Sequence, residues 1–451
     1  MKGFVPTPPQ TVDAMVAKLF HGRMPRPDES LLDPGCGTGA FIQGVLRWCE
    51  ARGHPLPRIV GIESNPDHLE EAKRSLAQFT SVTLLHEDFL KPRSERFDYI
   101  IGNPPYVPIT GLTVEERQSY RTRYRTANGR FDLYLLFFEE ALRLLKPDGR
   151  IVFITPEKFL YVQTAVALRK QLAERFVEEV QLVDESTFER LTTYPTVTTV
   201  SNSSPTGNTR IQMRDGSTRS VRLPRGGGSW LPLLNGNSVS ESAYSLADAC
   251  VRISCGVATG ADSVYILKTS ELPAPLRAFA FPTLSGREIS VGSGLTASSH
   301  SILIPYSRDG TLMPETELGV LGDYLREPAR RSQLMRRTCV LRKPWYAFHE
   351  NPPLTEILGP KILCKDIGVR PYFVVDEEGT IVPRHSVYYL VPADVPAIHH
   401  LCRYLNSDRA TRWLLDHCQR AANGFVRLQS HVLKLMPVPA ELAAVSQTAC
   451  V

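Results

Sequence analysis

Residues 97–106 read Phe-Asp-Tyr-Ile-Ile-Gly-Asn-Pro-Pro-Tyr, and from this stretch the fold can be inferred. Its apolar first half is typical of a buried strand in a parallel sheet. Because two consecutive prolines continue neither a helix nor a central strand, the chain must leave the sheet at Asn103. The pattern predicts a rigid, extended loop at a strand end, which presents an amide at Asn103 and an aromatic ring at Tyr106.

An amide and a ring held in this way suit a planar amine, such as the N6 amine of adenine. The lone pair of such an amine is delocalised into its ring, so the nitrogen is a poor nucleophile. The Asn103 side-chain oxygen and the Pro104 carbonyl can accept hydrogen bonds from it and localise the lone pair, while Tyr106 stacks on the ring. An ordinary proline-rich loop is the alternative explanation of this tetrapeptide.

A glycine-rich segment precedes this loop, where residues 31–46 follow the order strand, turn and helix. Glycine lets the backbone approach a ligand closely, and the start of a helix presents free N–H groups. A second strand ends in Glu63, where an acidic side chain can accept hydrogen bonds from ribose hydroxyls. Up to this point a nicotinamide dinucleotide would fit equally well.

A third strand is followed by Asp88 and Phe89, which can bind the amino group and the ring of an adenine. Successive strands therefore end at Gly35, Glu63, Asp88 and Asn103. The alternation of strands and helices predicts a doubly wound α/β fold with a mostly parallel, seven-stranded sheet. Because such sheets bind ligands at the carboxyl ends of their strands, we expect these side chains to meet in one site.

The flanks of this region are less distinctive. Thr7 is predicted to cap a helix that begins at Pro8. Phe188 and Tyr194 lie between the last two predicted strands, and either ring is a candidate for stacking on a base. Residues 201–249 are rich in Ser, Gly, Asn and Pro and are interpreted as a linker, with a hairpin predicted at Asp215-Gly216. We therefore predict a first domain at 1–223 and a second at 250–451.

The second half has a different pattern, with short β-like runs and frequent arginines. Basic residues next to aromatic ones, as in the segment 326–348, are compatible with a surface that binds phosphates and bases. A solvated helix face explains the same pattern equally well. Four arginines are the candidate DNA contacts: Arg330, Arg331, Arg336 and Arg337.

Composition restricts the class of protein. The chain has 451 residues, 42% hydrophobic and 22% charged, with a net charge of +5. No apolar run is long enough to cross a membrane, and the nine cysteines lack zinc-site spacing. We expect a cytoplasmic, monomeric protein with reduced thiols, no metal site and no membrane partner. The positive charge is compatible with a polyanionic partner.

Taken together, these motifs resemble the gamma group of DNA adenine-N6 methyltransferases of restriction-modification systems. Asn103 to Tyr106 matches the catalytic motif of that group, and Asp88-Phe89 matches its adenine-binding pair. Residues 7–10, Thr-Pro-Pro-Gln, match its N-terminal cofactor motif. The resemblance is strong over residues 1–200 and weaker beyond, where it rests on residues 256–260 and 428–439.

The resemblance implies a class I fold that uses S-adenosylmethionine, followed by a mixed α+β target-recognition domain that binds double-stranded DNA. The target adenine would be flipped out of the duplex, with Asn103, Pro104 and Tyr106 as catalytic residues. Any cognate restriction endonuclease would be a separate chain. The implied cofactor contacts are Thr7, Asp33, Gly35, Gly37, Gly39, Glu63, Asp88, Phe89, Pro105 and Phe137.

Three alternatives remain open at this point. Protein glutamine methyltransferases resemble the same Asn-Pro-Pro-Tyr loop, but they typically lack a large basic domain after the catalytic one. Methylation of RNA, or of cytosine N4, would use similar chemistry. A non-catalytic DNA specificity subunit would not need an intact cofactor loop. A fused nuclease is disfavoured, because no cluster of carboxylates with a lysine stands outside these motifs.

Overall fold

Strands and helices alternate through the first half of the chain, as the sequence predicted. The computed structural model describes residues 5–184, 194–234, 244–290, 295, 298–420 and 425–443. Its contacts divide the chain into two units, Met1–Ser238 and Val239–Val451. The elements of the first unit, in chain order, are α1 (Pro9–Leu19), β1 (Ser30–Pro34), α2 (Ala40–Glu50), β2 (Arg58–Glu63), α3 (Pro66–Leu76), β3 (Val82–His86), β4 (Phe97–Gly102), α4 (Val114–Arg123), α5 (Leu133–Leu144), β5 (Leu145–Pro156), α6 (Val166–Ala173), β6 (Phe176–Leu182), β7 (Pro195–Ser201), β8 (Thr209–Gln212), β9 (Thr218–Val221) and α7 (Leu231–Leu234).

One sheet carries this unit, with the strand order β3-β2-β1-β4-β5-β7-β6-β8-β9. Strands β1 to β5 pair in parallel, and β7 enters antiparallel between β5 and β6. The described sheet has nine strands where seven were predicted. The two additional strands, β8 and β9, form the predicted hairpin at Asp215-Gly216, inside the segment interpreted as a linker.

Both faces of the sheet are covered by helices, because its central strands are apolar on both sides. From β4, Ile100 packs in a cluster with Phe138 of α5 and Phe153 of β5. Its neighbours Tyr99 and Ile101 point to the other face, where they pack with residues of α1 and α2. The carboxyl ends of β1 to β4 are thereby fixed side by side at one edge.

The start of α1 differs from the prediction. The helix begins at Pro9, with Pro8 in the capping position and no side-chain cap. Proline at these positions has no N–H that needs a cap, so the capping assignment of Thr7 was wrong. The Thr7 hydroxyl instead meets Asn103, 96 residues away in the sequence.

The second unit is a mixed α+β structure, as predicted. Its elements, in chain order, are α8 (Leu246–Ala249), β10 (Cys250–Cys255), α9 (Asp262–Tyr265), β11 (Ile266–Lys268), β12 (Ala280–Leu284), β13 (His300–Leu303), α10 (Gly319–Arg326), α11 (Pro328–Met335), α12 (Leu354–Ile357), β14 (Lys361–Lys365), β15 (Ile367–Gly368), β16 (Phe373–Asp376), β17 (Val382–Pro383), β18 (Val387–Pro392), α13 (Ile398–Leu405), α14 (Asp408–His417), β19 (Gln419–Arg420), β20 (Val426–Arg427) and α15 (Ser430–Leu435).

These strands form the sheets β10-β18-β14-β16, β11-β13-β12-β17 and the short β15-β20-β19. Alternate residues of β14 face two different cores, with Ile362 in one and Leu363 in the other. No described helix has the length and apolarity needed to cross a bilayer.

Candidate active site

A cavity of about 490 Å³ opens where β1 to β4 end. Each of these strands contributes a predicted residue to its wall, and α5 contributes an aromatic ring. The structure thus brings together groups that are far apart in sequence, as the parallel topology requires. The predicted residues that line the cavity are Gly35, Glu63, Asp88, Asn103, Pro105 and Phe137.

The glycine turn after β1 forms one side of the site. Gly35, Gly37 and Gly39 have φ values of 104°, 54° and 89°, a region that favours glycine. This backbone allows the Gly37 N–H to donate to Glu63 Oε2 at 2.9 Å. The Asn65 N–H donates to Glu63 Oε1 at 2.7 Å. The Glu63 carboxylate is therefore fixed in orientation, and each oxygen keeps a lone pair for a ligand hydroxyl.

Asp33 is in β1 just before the turn; it is fully buried and does not line the cavity. Neither of its carboxyl oxygens has a hydrogen-bond partner among the described residues. Burial, and then the negative charge of Glu63, raise the pKa of Asp33 well above its ordinary value. A buried carboxyl with two unused acceptors is costly without a partner, so this group suits a ligand that brings a positive charge or several N–H donors.

Asn103 is held by its nitrogen. Nδ2 donates to the Val5 carbonyl at 3.0 Å and to Thr7 Oγ1 at 3.1 Å. Oδ1 is shielded from solvent and has no partner in the described chain. Reversing the amide would place its oxygen against the Val5 carbonyl, so the two contacts fix which end remains available.

The rest of the loop is also anchored. The Val107 carbonyl accepts a hydrogen bond from the Leu133 N–H at 2.9 Å, which ties the loop to the start of α5. Among the described hydrogen bonds, none ends on the Pro104 carbonyl. The loop therefore carries two acceptors without a partner among the described residues, Asn103 Oδ1 and the oxygen of the next residue, Pro104.

Tyr106 is half-buried and does not line the cavity. Its ring meets Tyr134 edge to face, with centroids 6.3 Å apart. Its hydroxyl is buried and has no partner among the described residues. Burial raises the pKa of Tyr106 far above its ordinary value, so the side chain stays neutral at physiological pH.

An aromatic ring lines the cavity beside the glycine turn, since a Cβ at Gly35 would lie 3.5 Å from Phe137 Cε1. Phe137 lines the cavity, and Phe89 packs against it with ring centroids 5.0 Å apart. Phe89 is 2% exposed and belongs to the core, so in this structure it supports the Phe137 ring. Direct contact of Phe89 with a ligand remains a prediction.

Of the two further stacking candidates, Phe188 lies outside the described residues. Tyr194 is described, and the Arg214 guanidinium lies 5.0 Å from the centre of its ring. Its carbonyl accepts a hydrogen bond from the Glu157 N–H at 2.8 Å.

Sequence reasoning missed several residues of the site. Leu112, Glu116 and Tyr120 line the cavity from α4 and the segment before it. The only local signal was Thr113-x-x-Glu116, which forms a helix-capping box. The carbonyl of Val5, which fixes Asn103, carries no side-chain signal at all.

The four arginines predicted to bind DNA have unlike surroundings. Arg337 donates to the carbonyls of Leu334, Thr259 and Trp345 and so braces the backbone. Arg330 pairs with Glu327 and lies 3.8 Å from the centre of the Tyr324 ring. Arg331 and Arg336 are exposed, with the Arg331 guanidinium 5.4 Å from the Trp345 ring centre. Only these two are presented without a carbonyl or carboxylate partner among the described residues.

Two protein-family models match the chain, one in each unit. Residues 56–188 match the Eco57I restriction-modification methylase model, and residues 282–438 match the TaqI-like C-terminal specificity domain. The Type II methyltransferase M.PaeR7I of Pseudomonas aeruginosa is 26% identical over 477 residues, which cover 92% of this chain and 82% of the relative. The Type II methyltransferase M.XhoI of Xanthomonas vasicola is 28% identical over 476 residues, covering 91% and 85%.

A solved structure shares the fold over most of the chain. The Type IIL restriction-modification enzyme MmeI, solved in complex with DNA, superposes with a TM-score of 0.59 and 12% identity. The match covers 95% of this chain and 63% of the MmeI chain. At this identity the likeness establishes the fold alone.

Proposed function

We propose that this chain, a restriction-modification methylase followed by a TaqI-like specificity domain, methylates N6 of adenine in duplex DNA. S-adenosylmethionine is the proposed methyl donor. The chain would act as the modification component of a restriction-modification system, with any nuclease on a separate chain.

The groups around the cavity fit this cofactor. The fixed Glu63 carboxylate suits the two ribose hydroxyls, and the Phe137 ring and Asp88 suit the face and amino group of an adenine. The unpaired Asp33 carboxyl matches the ammonium of the methionine part. When bound, the cofactor supplies an electrophilic methyl group on a sulfonium.

The observation that carries the proposal is the state of Asn103. Its N–H groups are consumed by Val5 and Thr7, so only its oxygen is available, beside the unused Pro104 carbonyl. Two acceptors with no competing donor select a ligand that carries an NH2 group. They are preorganised for the charge that develops on that nitrogen, so little reorganisation is needed as it attacks the methyl group.

An adenine inside a stacked duplex cannot reach this loop. The base must be flipped out, which costs a few kcal/mol, and Tyr106 is the proposed stacking partner in the flipped state. The specificity domain at 282–438 and the naming of the relatives as Type II methyltransferases favour duplex DNA over protein or RNA. The site itself offers no preference between adenine N6 and cytosine N4, since both are planar exocyclic amines.

Methyl transfer from tritiated S-adenosylmethionine by the purified full chain tests the proposal. Genomic DNA, total RNA and a cell extract depleted of nucleic acid serve as parallel acceptors, and calorimetry gives the cofactor affinity. We expect label in DNA alone, and we expect Asn103→Ala to lower it at least about 100-fold while cofactor affinity changes less than threefold. Label in protein or RNA, or loss of cofactor binding in Asn103→Ala, would contradict the proposed substrate or the proposed role of Asn103.

A further inference from the structure

A second group of charged residues lies at the sheet edge where β5 and β6 begin, opposite the candidate active site. Two cavities open there, of about 510 and 230 Å³, and both are lined by Arg175. We call six of the arginines along these cavities the arginine track: Arg123, Arg125, Arg143, Arg175, Arg222 and Arg225. Arg93 also lines the larger cavity but pairs with Glu87 and is not included.

The topology places most of the track far from the catalytic loop. Arg123, at the end of α4, lies nearest, with its guanidinium 5.6 Å from the ring centre of Tyr120, which lines the candidate active site. Arg143 is in the last turn of α5 before β5, and Arg175 directly precedes β6. Arg222 and Arg225 follow β9, which runs antiparallel to β8 and so ends at this same edge. Asn103 follows β4 at the other edge, about 20 Å away along strands of this length.

Several members of the track are already held in position. Arg123 donates to the Leu90 carbonyl at 2.7 Å, Arg143 to the Arg93 carbonyl at 2.6 Å and Arg175 to the Gln171 carbonyl at 2.9 Å. A neutral carbonyl orders the guanidinium of Arg123 or Arg175 without cancelling its charge, whereas Arg143 is also paired with Glu140. Such side chains are preorganised for an anion, so less conformational entropy is lost on binding.

The charge balance of the two cavities is unequal. The larger one also contains Glu139, Glu140 and Glu174. Glu140 pairs with Arg143, and Glu139 accepts hydrogen bonds from the backbone of residues 125 and 126. The smaller cavity has three arginines in its wall and no carboxylate. The lining of the smaller cavity therefore carries positive charge that no acidic side chain of the same lining neutralises.

Five members of the track are exposed, and three of these five are also unpaired. No side-chain hydrogen bond or ion pair engages Arg125, Arg222 or Arg225 within the described parts of the chain. The side chains are free to extend toward a ligand outside the cavities. They also offer a way to test the track without touching the residues that are built into the fold.

We propose that the arginine track binds the phosphate backbone of a second DNA duplex, separate from the one at the catalytic edge. From β5 to β9 the edge spans four inter-strand spacings, about 19 Å, along which a duplex carries about eleven phosphates. A single phosphate or nucleotide would occupy only the smaller cavity. Protein partners need apolar anchors, and none of the exposed large apolar residues described lies in either wall.

The proposal does not depend on the methylation chemistry. A duplex of 12 base pairs is far shorter than the DNA persistence length of about 150 base pairs and stays straight, so one that lies along the β5–β9 edge cannot also bend into the catalytic loop at the other edge. The full chain should therefore take up two such duplexes, one at each edge. Bringing two DNA segments together would let the protein transfer between segments during its search for a target.

Titration of a fluorescent 12-base-pair duplex into the full chain at low salt measures this stoichiometry. We expect two duplexes per chain for the natural protein and one for Arg125→Gln/Arg222→Gln/Arg225→Gln. The control Arg52→Gln/Arg58→Gln/Arg74→Gln removes the same charge from exposed arginines on the β2 flank and should keep two. Fluorescence anisotropy against salt should show the slope of log K falling by about 2.7 in the first variant only, at about 0.9 per phosphate contact.

The other outcomes decide which of the two edges binds DNA and whether the smaller cavity binds phosphate instead. One duplex per natural chain, lost in the first triple variant, would support the track and count against DNA binding at the catalytic edge. Unchanged stoichiometry and slope in that variant would overturn the proposal. If calorimetry shows inorganic phosphate binding that this variant abolishes while duplex binding is unaffected, the cavity is a small-phosphate site and the track is likewise overturned.

Discussion

Asn103 is the residue on which the proposed chemistry depends, and its environment explains its availability. Its nitrogen is bound by Val5 and Thr7, and only its oxygen is left unpaired. The choice of Asn103 could be read from the tetrapeptide alone. The contact that orients it could not, because Thr7 lies 96 residues earlier and its local sequence favoured a helix cap.

Removing the Thr7 hydroxyl should therefore affect turnover more than binding. In Thr7→Val one acceptor of Asn103 Nδ2 is lost, worth about 1 kcal/mol, and the amide can rotate. We expect kcat to fall about tenfold, with cofactor affinity changed less than threefold, and Thr7→Ser to restore it. Steady-state kinetics and calorimetry measure both. A selective loss of cofactor affinity would instead assign Thr7 to the cofactor, as the family resemblance implied.

Asp33 should make stability depend on pH. Burial, then the charge of Glu63, raise its folded pKa well above the unfolded value, so the folded state holds this proton more tightly. The free energy of unfolding should therefore fall as pH rises from about 4 through the raised pKa. Asp33→Asn removes this titration and, with it, the partner proposed for the ammonium of the cofactor.

Urea unfolding at pH 5, 6, 7 and 8 compares the two proteins without cofactor. We expect the natural chain to lose stability relative to Asp33→Asn as pH rises. Saturating S-adenosylmethionine should reverse the order, because its ammonium stabilises the ionised carboxyl. Parallel stability curves at all four pH values would show that Asp33 does not titrate in this range.

At the scale of elements, the parallel part of the sheet could be predicted and its far edge could not. Strands β1, β2 and β4 are short apolar runs that end in distinctive residues. Strands β8 and β9 are polar, and what fixes β8 is its pairing with β6, about 30 residues away. The Asp215-Gly216 pair was the one sequence signal for the hairpin. In the structure Gly216 takes a φ of 80°, a value that favours glycine in such turns.

The contact between α1 and α2 links packing to the site. A Cβ at Gly44 of α2 would lie 2.5 Å from Val12 Cγ1 of α1. Gly44→Ala should push α1 away, destabilise the fold by about 1–3 kcal/mol and displace Val5 and Thr7, which precede α1. The free energy of unfolding, measured by chemical denaturation, and kcat should both fall. The control Gly226→Ala, whose added Cβ meets open space, should change neither. Full activity in a destabilised Gly44→Ala would show that α1 does not position Asn103.

The arginines of α11 and of the residues just after it are predicted to have two roles, DNA contact and support of the backbone. Arg331→Gln/Arg336→Gln should weaken duplex binding and lower its salt slope by about 2, with no change in thermal stability. Arg337→Gln should instead lower stability by about 1–3 kcal/mol, because three carbonyls lose a donor. Anisotropy and thermal denaturation distinguish the roles. Normal stability of Arg337→Gln would return that residue to the set of DNA contacts.

At the scale of the whole molecule, a division into two units could be predicted from the change of sequence pattern after about residue 200. The division of the contacts at residues 238 and 239 falls inside the predicted linker of 201–249. The relatives M.PaeR7I and M.XhoI align with more than 90% of the chain, so both units belong to the comparison. The arginine track could not be predicted, since its members come from four separate segments that only the fold brings together.

Long-read sequencing of genomic DNA from cells that express the chain tests the central claim most directly. Cells that express Asn103→Ala at the same level provide the matched control. We predict N6-methyladenine in one fixed sequence context, absent from the control. N4-methylcytosine in that context, or unmodified DNA from a protein that binds S-adenosylmethionine, would contradict the assignment of adenine in DNA as the substrate.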